Sequence, residues 1–395
     1  MHASRPRTLA CAAALVAAGA LPVAADDIVI GFAVAQSGFM QAYDEPATQA
    51  AIIRIEEINA EGGLLGRQLR PVFADTSSDR AEGARAGLEV IEAGADLVVV
   101  SCDYDFGAPA ALMAEANGKI SFFLCAESVR AGIQGVGPLS FSASVLAPVQ
   151  GATMVEWGHT TQGWTDFYVL LDTWTEYNRG ICEGFDWKAP RIEGVNVVGR
   201  DTFVNDDASI ASQITRIRNL PQPPDAIMLC SMMPGVVSAI RQIRNAGIDV
   251  PILNGSGVDG SYWMDAVPGL SNFYIPVQGS IYGDDPDPAV EEFNVRFEER
   301  WGVRPSSQYV YPGYVMIDVW ARAVERAGTT DAQAVVAELN QFDAEPTLFG
   351  PRTFTPELHH QNQALYRIVR VTDGVPAVVD SWTISEPIPL EALLP

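Results

Sequence analysis

Two short apolar runs, Leu97-Val-Val-Val-Ser101 and Ile120-Ser-Phe-Phe-Leu-Cys125, constrain the fold of this chain more than any other feature. Each breaks abruptly into polar residues, with Asp103, Tyr104 and Asp105 after the first and Glu127 and Ser128 after the second. A helix-length segment, 108–117, lies between them. Strands that are apolar on both faces belong in a parallel sheet covered by helices on either side. In such sheets ligands settle just beyond the strand C-termini. The two strand ends are therefore expected to form one wall of a ligand cleft, and the rest of the chain the other.

The same alternation runs both ways from this point. Ile28-Val-Ile-Gly-Phe-Ala-Val34 reads as a strand and Gln36-Ser-Gly38 as a turn. Ala51, Ile55 and Ile58 follow at helical spacing, and Gly62-Gly63 stops that helix. A strand over 69–74 and a helix over 82–93 complete a βαβαβαβ order, which implies a mostly parallel sheet with right-handed crossovers. The pattern restarts at Phe167, with strands over 167–171, 194–198, 226–230 and 252–253 and helices over 177–187, 208–219 and 235–246. Two long helices, 289–301 and 314–327, have no strand between them, and the tail alternates over 365–371 and 375–384 as a β-hairpin. A chain of 395 residues exceeds one typical core, so the expectation is an α/β protein of two lobes.

Residues 1–25 are expected to belong to neither lobe. Arg5 and Arg7 precede an apolar run, 9–23, that closes on Val23-Ala-Ala25, the order of a secretory signal peptide. The run is shorter than the ~20 residues needed to span a bilayer. Export to the periplasm follows as the expectation. The formal net charge of −24 disfavours nucleic acid and anionic membrane surfaces as partners. Beyond Cys11 four cysteines remain, Cys102, Cys125, Cys182 and Cys230, an even number for a compartment that permits disulfides. Cys102 and Cys125 stand at the ends of the two opening strands and can bridge if those strands are neighbours; buried free thiols are the alternative. No CxxC or Cys/His cluster points to a metal.

The run Ile58-Asn-Ala-Glu-Gly-Gly-Leu-Leu-Gly-Arg-Gln-Leu69, after Ser37-Gly38, resembles the type I periplasmic solute-binding proteins of ABC transporters, in the branched-chain amino acid (Leu/Ile/Val-binding) family. The likeness continues through Phe167-Tyr-Val-Leu-Leu-Asp172, Pro224-Asp-Ala-Ile-Met-Leu-Cys230 and Ala239-Ile-Arg-Gln-Ile-Arg-Asn-Ala-Gly247. It implies a two-lobed fold, each lobe a mostly parallel sheet flanked by helices. Three crossings, near 141–147, 274–279 and 348–354, would form a hinge. Lobe 1 would comprise 26–144 and 277–350, and lobe 2 would comprise 145–276 and 351–395. A membrane permease is the implied partner, and no cofactor is implied. Matched position by position, Asp105 stands at the family's ligand-binding serine, and Ala126 and Ser128 at contacts after the next strand. Tyr43 matches a pocket wall and Tyr177, or Trp174, the stacking aromatic. Met232 replaces an aromatic, and Ser256 replaces the acid that pairs with a ligand ammonium.

Those departures point away from a plain branched-chain amino acid. An ionised carboxylate at position 105 cannot donate to a ligand carboxylate, and Ser256 leaves the ammonium without its usual partner. In one reading Asp105 and Glu127 hold a cationic or amine-bearing solute, with Trp174, Tyr177 and Tyr43 as cation–π faces. In the other, Asp105 accepts hydrogen bonds from a neutral polar ligand packed on the aromatics and Met232. Enzyme chemistry lacks a constellation. His2 is in the leader, His159 stands alone, and His359-His360 read as a solvated pair in a turn; no nucleophile elbow or HExxH occurs. Gly255-Ser-Gly-Val-Asp-Gly260 matches GxGxxG, but Pro268 leaves too short a helix for a dinucleotide site, so a backbone loop facing the cleft is expected. Asp206-Asp207 read as a helix cap and Asp284-Asp285-Pro-Asp287 as a solvated loop, neither with EF-hand spacing. The expected function is solute capture for an ABC importer. Its rivals are ligand sensing for a receptor and, from the glycine string alone, an exported NAD-linked enzyme.

Overall fold

The computed structural model describes residues 26–205 and 209–394. The expected signal peptide and the Asp206-Asp207 cap lie outside the described residues. The first half alternates as read: β1 (Ile28–Val34), α1 (Gln41–Ala60), β2 (Leu69–Asp75), α2 (Arg80–Glu92), β3 (Leu97–Val100), α3 (Tyr104–Ala116), β4 (Ile120–Phe123) and β5 (Ser140–Ser142). These strands form one parallel sheet in the order β2-β1-β3-β4-β5. Every residue of β1, β3 and β4 is buried, which is why their runs are apolar without alternation.

Next come α4 (Ala147–Gln162), β6 (Asp166–Asp172), α5 (Glu176–Lys188), β7 (Asn196–Phe203), α6 (Ala211–Arg218), β8 (Ala226–Cys230), α7 (Gly235–Asn245), β9 (Ile252–Leu253) and β10 (Phe273–Val277). Helices α8 (Pro288–Trp301), α9 (Val310–Ala327) and α10 (Ala332–Leu339) precede the hairpin of β11 (Tyr366–Thr372) and β12 (Val375–Trp382). The second sheet runs β12-β11-β10-β9-β8-β6-β7, antiparallel only at β10/β11 and β11/β12. Helix α9 crosses α1 so closely that a Cβ at Gly313 would lie 2.3 Å from the Ala47 carbonyl oxygen. That contact ties the late helices to the first sheet.

Strands β3 and β4 pair in register, Leu97 with Ile120 and Val100 with Phe123, so their polar ends emerge side by side. Disulfides Cys102–Cys125 and Cys182–Cys230 both form, which resolves the choice between bridges and free thiols.

One loop expectation is overturned by packing. His359 and His360 are buried rather than solvated. The His359 ring stacks on Phe141 at a centroid distance of 3.7 Å and meets Ser140 O and Asn340 Oδ1 at 2.9 Å each. Burial lowers the two imidazoles to about 4 and about 3. The Asp284–Asp287 loop is solvated as expected at Asp284 and Asp287, which are exposed, and it is also tied to its neighbours. The Asp285 side chain is fully enclosed against Arg367 (3.0 Å), Asp284 accepts from Val378 N (2.7 Å), and Asp287 caps α8. Among the described residues, no helix is long and apolar enough to cross a membrane and no cluster of His, Cys, Asp or Glu could hold a metal ion.

Candidate functional site: a closed cleft between the two sheets

The C-terminal ends of β3 and β4 face those of β8 and β9 across a cleft. Between them lies a cavity of about 20 Å³ lined by Met40, Tyr43, Cys102, Asp103, Cys125, Glu127, Tyr177, Met232, Gly257 and Tyr309. That volume suits roughly one water molecule, so the two walls are in contact and the cleft is closed.

Each wall is assembled from local rules. Asp44, in the first turn of α1, accepts from Ala35 N (2.7 Å), Cys102 N (2.8 Å) and Ser101 Oγ (3.1 Å), and so fixes the ends of β1 and β3 to one another. Its burial raises the carboxyl to about 6. Asp103 caps α3 by accepting from Asp105 N at 2.8 Å, which starts that helix at Tyr104 rather than at the expected 108. On the opposite wall the Gly255–Gly260 string forms a single short turn after β9, with no long helix following it. Its glycines allow close approach: a Cβ at Gly255 would lie 2.5 Å from Tyr177 Oη, and one at Gly257 would lie 2.8 Å from Tyr177 Cε1.

The centre is a buried hydrogen-bond network. Glu127 accepts from Ser256 Oγ (3.0 and 3.1 Å) and from Tyr309 Oη (3.2 Å). Tyr43 Oη donates to Gly257 O (3.0 Å) and accepts from Met233 N (3.1 Å), bridging the walls. Tyr177 Oη accepts from Gly257 N (2.7 Å) and donates to Gln150 Oε1 (3.1 Å). The Tyr43 and Tyr309 rings lie 5.9 Å apart. Desolvation raises the Glu127 carboxyl to about 7 and pushes Asp103 well above the carboxylate range, Asp103 further so by its neighbour Asp105. All three tyrosines are held above their ordinary value by burial and stay neutral. Among the described residues, no Lys, Arg or His lines the cavity.

Of the residues expected at the site, Tyr43, Glu127, Tyr177 and Met232 line this cavity. Ser256 touches it through Glu127, so the two walls exchange roles: the acid stands on the first wall and the hydroxyl on the second. Asp105 does not face the cavity. Its carboxylate accepts from Arg80 Nη2 (3.0 Å) and from Glu176 N (2.9 Å) at the start of α5, a contact across the cleft. Trp174 packs at the rim against Phe39 and Phe106, with centroids 5.3 and 5.7 Å away. Tyr104 does not line the cavity; it is half-buried, with its hydroxyl 3.5 Å from Gly135 O. Ser128 caps a short turn through Arg130 N, and Ala126 O accepts from Ser142 Oγ. Sequence reasoning missed Asp103, Met40 and Tyr309. An acid two residues past an apolar strand and just ahead of a helix was the available signal for Asp103.

The description of a periplasmic binding protein matches residues 27–375. The chain belongs to that family. A type I solute-binding protein of the Leu/Ile/Val-binding group is what the sequence signature indicated, and its similar proteins agree. It is 23% identical over 361 residues to the Leu/Ile/Val-binding protein BraC3 of Rhizobium johnstonii, covering 88% of this chain and 93% of that one. It is also 23% identical over 319 residues to the leucine-, isoleucine-, valine-, threonine- and alanine-binding protein of Pseudomonas aeruginosa, covering 80% and 83%. Among solved structures, the isoleucine complex of LivJ from Streptococcus pneumoniae superposes with a TM-score of 0.79 at 21% identity, over 90% of this chain and 99% of that one. The leucine-binding protein LivK of Thermotoga maritima gives 0.77 at 21% identity, over 90% and 98%. These establish the two-lobed α/β fold. The family is that of periplasmic binding proteins, and similar solved structures from Sphaerobacter thermophilus and Desulfitobacterium hafniense are described as ABC transporter substrate-binding proteins.

Proposed function

We propose that this protein is the periplasmic solute-binding subunit of an ABC importer and that its cargo is a small amine-bearing or otherwise cationic solute. One observation carries the reading. Glu127 and Asp103, both buried, border a cavity walled by Tyr43, Tyr177 and Tyr309, and among the described residues no cationic side chain lines it. A carboxylate-bearing amino acid would bring a negative group into this space with no cationic side chain to pair with it, at a cost of several kcal/mol for an unpaired buried charge. A cation would instead favour loss of the protons that burial helps both carboxyls hold, pair with the carboxylates and stack on the tyrosine faces. Asp105, first expected to supply the charge, serves here as a latch across the cleft, and Glu127 with Asp103 takes its role.

The lobes in this reading are 26–144 with 277–350, and 145–276 with 351–395. The ligand enters when they part, and closure buries it while forming the surface a membrane permease recognises. No reaction is part of the cycle. A thermal-shift screen of the protein against amines, quaternary ammonium ions, branched-chain amino acids, amides and aromatic acids tests the proposal. Any ligand selective for the folded state stabilises it, by about 2.7 kcal/mol at a hundredfold excess over Kd. Amines should raise Tm; stabilisation by leucine, isoleucine or valine with none by amines would overturn the reading.

A further inference from the structure

A second cavity, of about 490 Å³, lies where the chain leaves β10 for α8 and where it returns from α10 to β11. Val290, Phe349 and Leu365 give it apolar walls, and Gln278, Arg352 and Arg367 supply its polar groups. That size and mixture suit a small organic molecule.

Its two arginines are treated differently. Arg367 pairs with Asp285 at 3.0 Å. Arg352 is 3% exposed and, among the described residues, has no carboxylate within ion-pair distance. Its Nη1 donates to the carbonyls of Phe349, Gly350 and Pro351 at 3.0–3.1 Å. Nη2 reaches only Gln278 Oε1, at 3.5 Å, and Nε has no partner. The guanidinium edge short of acceptors is thus the buried Nε–Nη2 edge, whose two donors match the two oxygens of a carboxylate. Nε2 of Gln278, itself buried, is also without a partner. Burial without a counter-charge lowers Arg352 to about 10. A buried, uncompensated cation beside two unpaired donors is costly unless something anionic completes it. Asp287, whose carboxylate caps α8 through Ala289 N, borders the same cavity and disfavours multiply charged anions.

We propose that this cavity is a second ligand site, which takes a small monocarboxylate with its anionic end on the Nε–Nη2 edge of Arg352 and an apolar body against Val290, Phe349 and Leu365. The site is independent of the cleft and opposite to it in charge preference.

The probe is 4-fluorobenzoate, followed by fluorine NMR line broadening on the full protein, with neutral 4-fluorobenzamide as control. Saturable binding of benzoate at about 1 mM or tighter is expected from a ligand of this size. Benzamide should not bind. Arg352→Lys keeps the charge but loses the two-pronged geometry, and should weaken benzoate about tenfold. Leu365 is 53% exposed, so Leu365→Asp places a repelling charge on the wall without disturbing the core and should weaken benzoate about as much. If Arg352→Lys does not fold, Leu365→Asp decides alone. Equal binding of benzamide, unchanged binding in the folded variants, or no saturable binding by the wild type would each overturn the proposal.

Discussion

Replacing Glu127 by glutamine removes a charge while keeping the size of the side chain, and its effect on stability can be worked out with its sign. In the closed, unliganded protein burial raises this carboxyl from its ordinary 4.5 to about 7. The folded chain therefore keeps a proton that the unfolded chain gives up at lower pH. Below about pH 4.5 both states hold the proton and the group adds no pH dependence. Between about 4.5 and 7 the unfolded chain releases it first, so stability falls as pH rises; above 7 the penalty is constant. A difference of about 2.5 pKa units, at 1.36 kcal/mol each, is about 3 kcal/mol. Glu127→Gln carries no such penalty but loses one of the bonds from Ser256 or Tyr309, at about 1 kcal/mol. The variant should therefore be slightly less stable than the wild type at pH 5 and about 2 kcal/mol more stable at pH 8. Urea unfolding of both proteins at both pH values, with the slope m held common, measures this difference. A wild-type-to-variant gap that does not change with pH would refute the burial argument for Glu127.

Amine binding should tighten as pH rises towards 8, because Glu127 and Asp103 must lose protons that burial helps them keep; calorimetry in two buffers of different ionisation enthalpy should detect the released protons. Tyr43→Phe removes two bonds across the closed, unliganded cleft, about 1–2 kcal/mol of closure energy, so small-angle scattering should show a more open unliganded particle. Asp105→Asn breaks the pair with Arg80 but keeps an acceptor for Glu176 N, so titrations should show the same few-fold weakening for charged and neutral ligands; a loss confined to cations would return Asp105 to the cavity. Replacing Cys182 and Cys230 by alanine, which opens a 48-residue separation, should cost about 4 kcal/mol in denaturant titration.

Strands such as Leu97–Val100 were legible because a sheet covered on both faces demands unbroken apolar runs, and the position of the cleft followed from where those runs end. Strand β5 was not, because Ser140-Phe-Ser142 is three residues long and two of them are polar. Asp103 and Asp105 are equally acidic in the sequence. Only the cap geometry, which turns Asp103 inward and leaves Asp105 to Arg80, separates them. Tyr309 meets Glu127 across 182 residues of sequence, a contact with no local pattern. His359-His360 looked like a surface turn because two polar residues in a loop carry no trace of the Phe141 ring that covers the first of them.

Glu127 and Asp103 should together select a cation. A crystal structure of the protein with the strongest amine from the thermal-shift screen tests this most directly. In that structure the ligand nitrogen should lie within about 4 Å of a Glu127 or Asp103 oxygen, among the faces of Tyr43, Tyr177 and Tyr309. A ligand bound elsewhere, or one that turns an apolar or anionic end towards those two carboxylates, would contradict it.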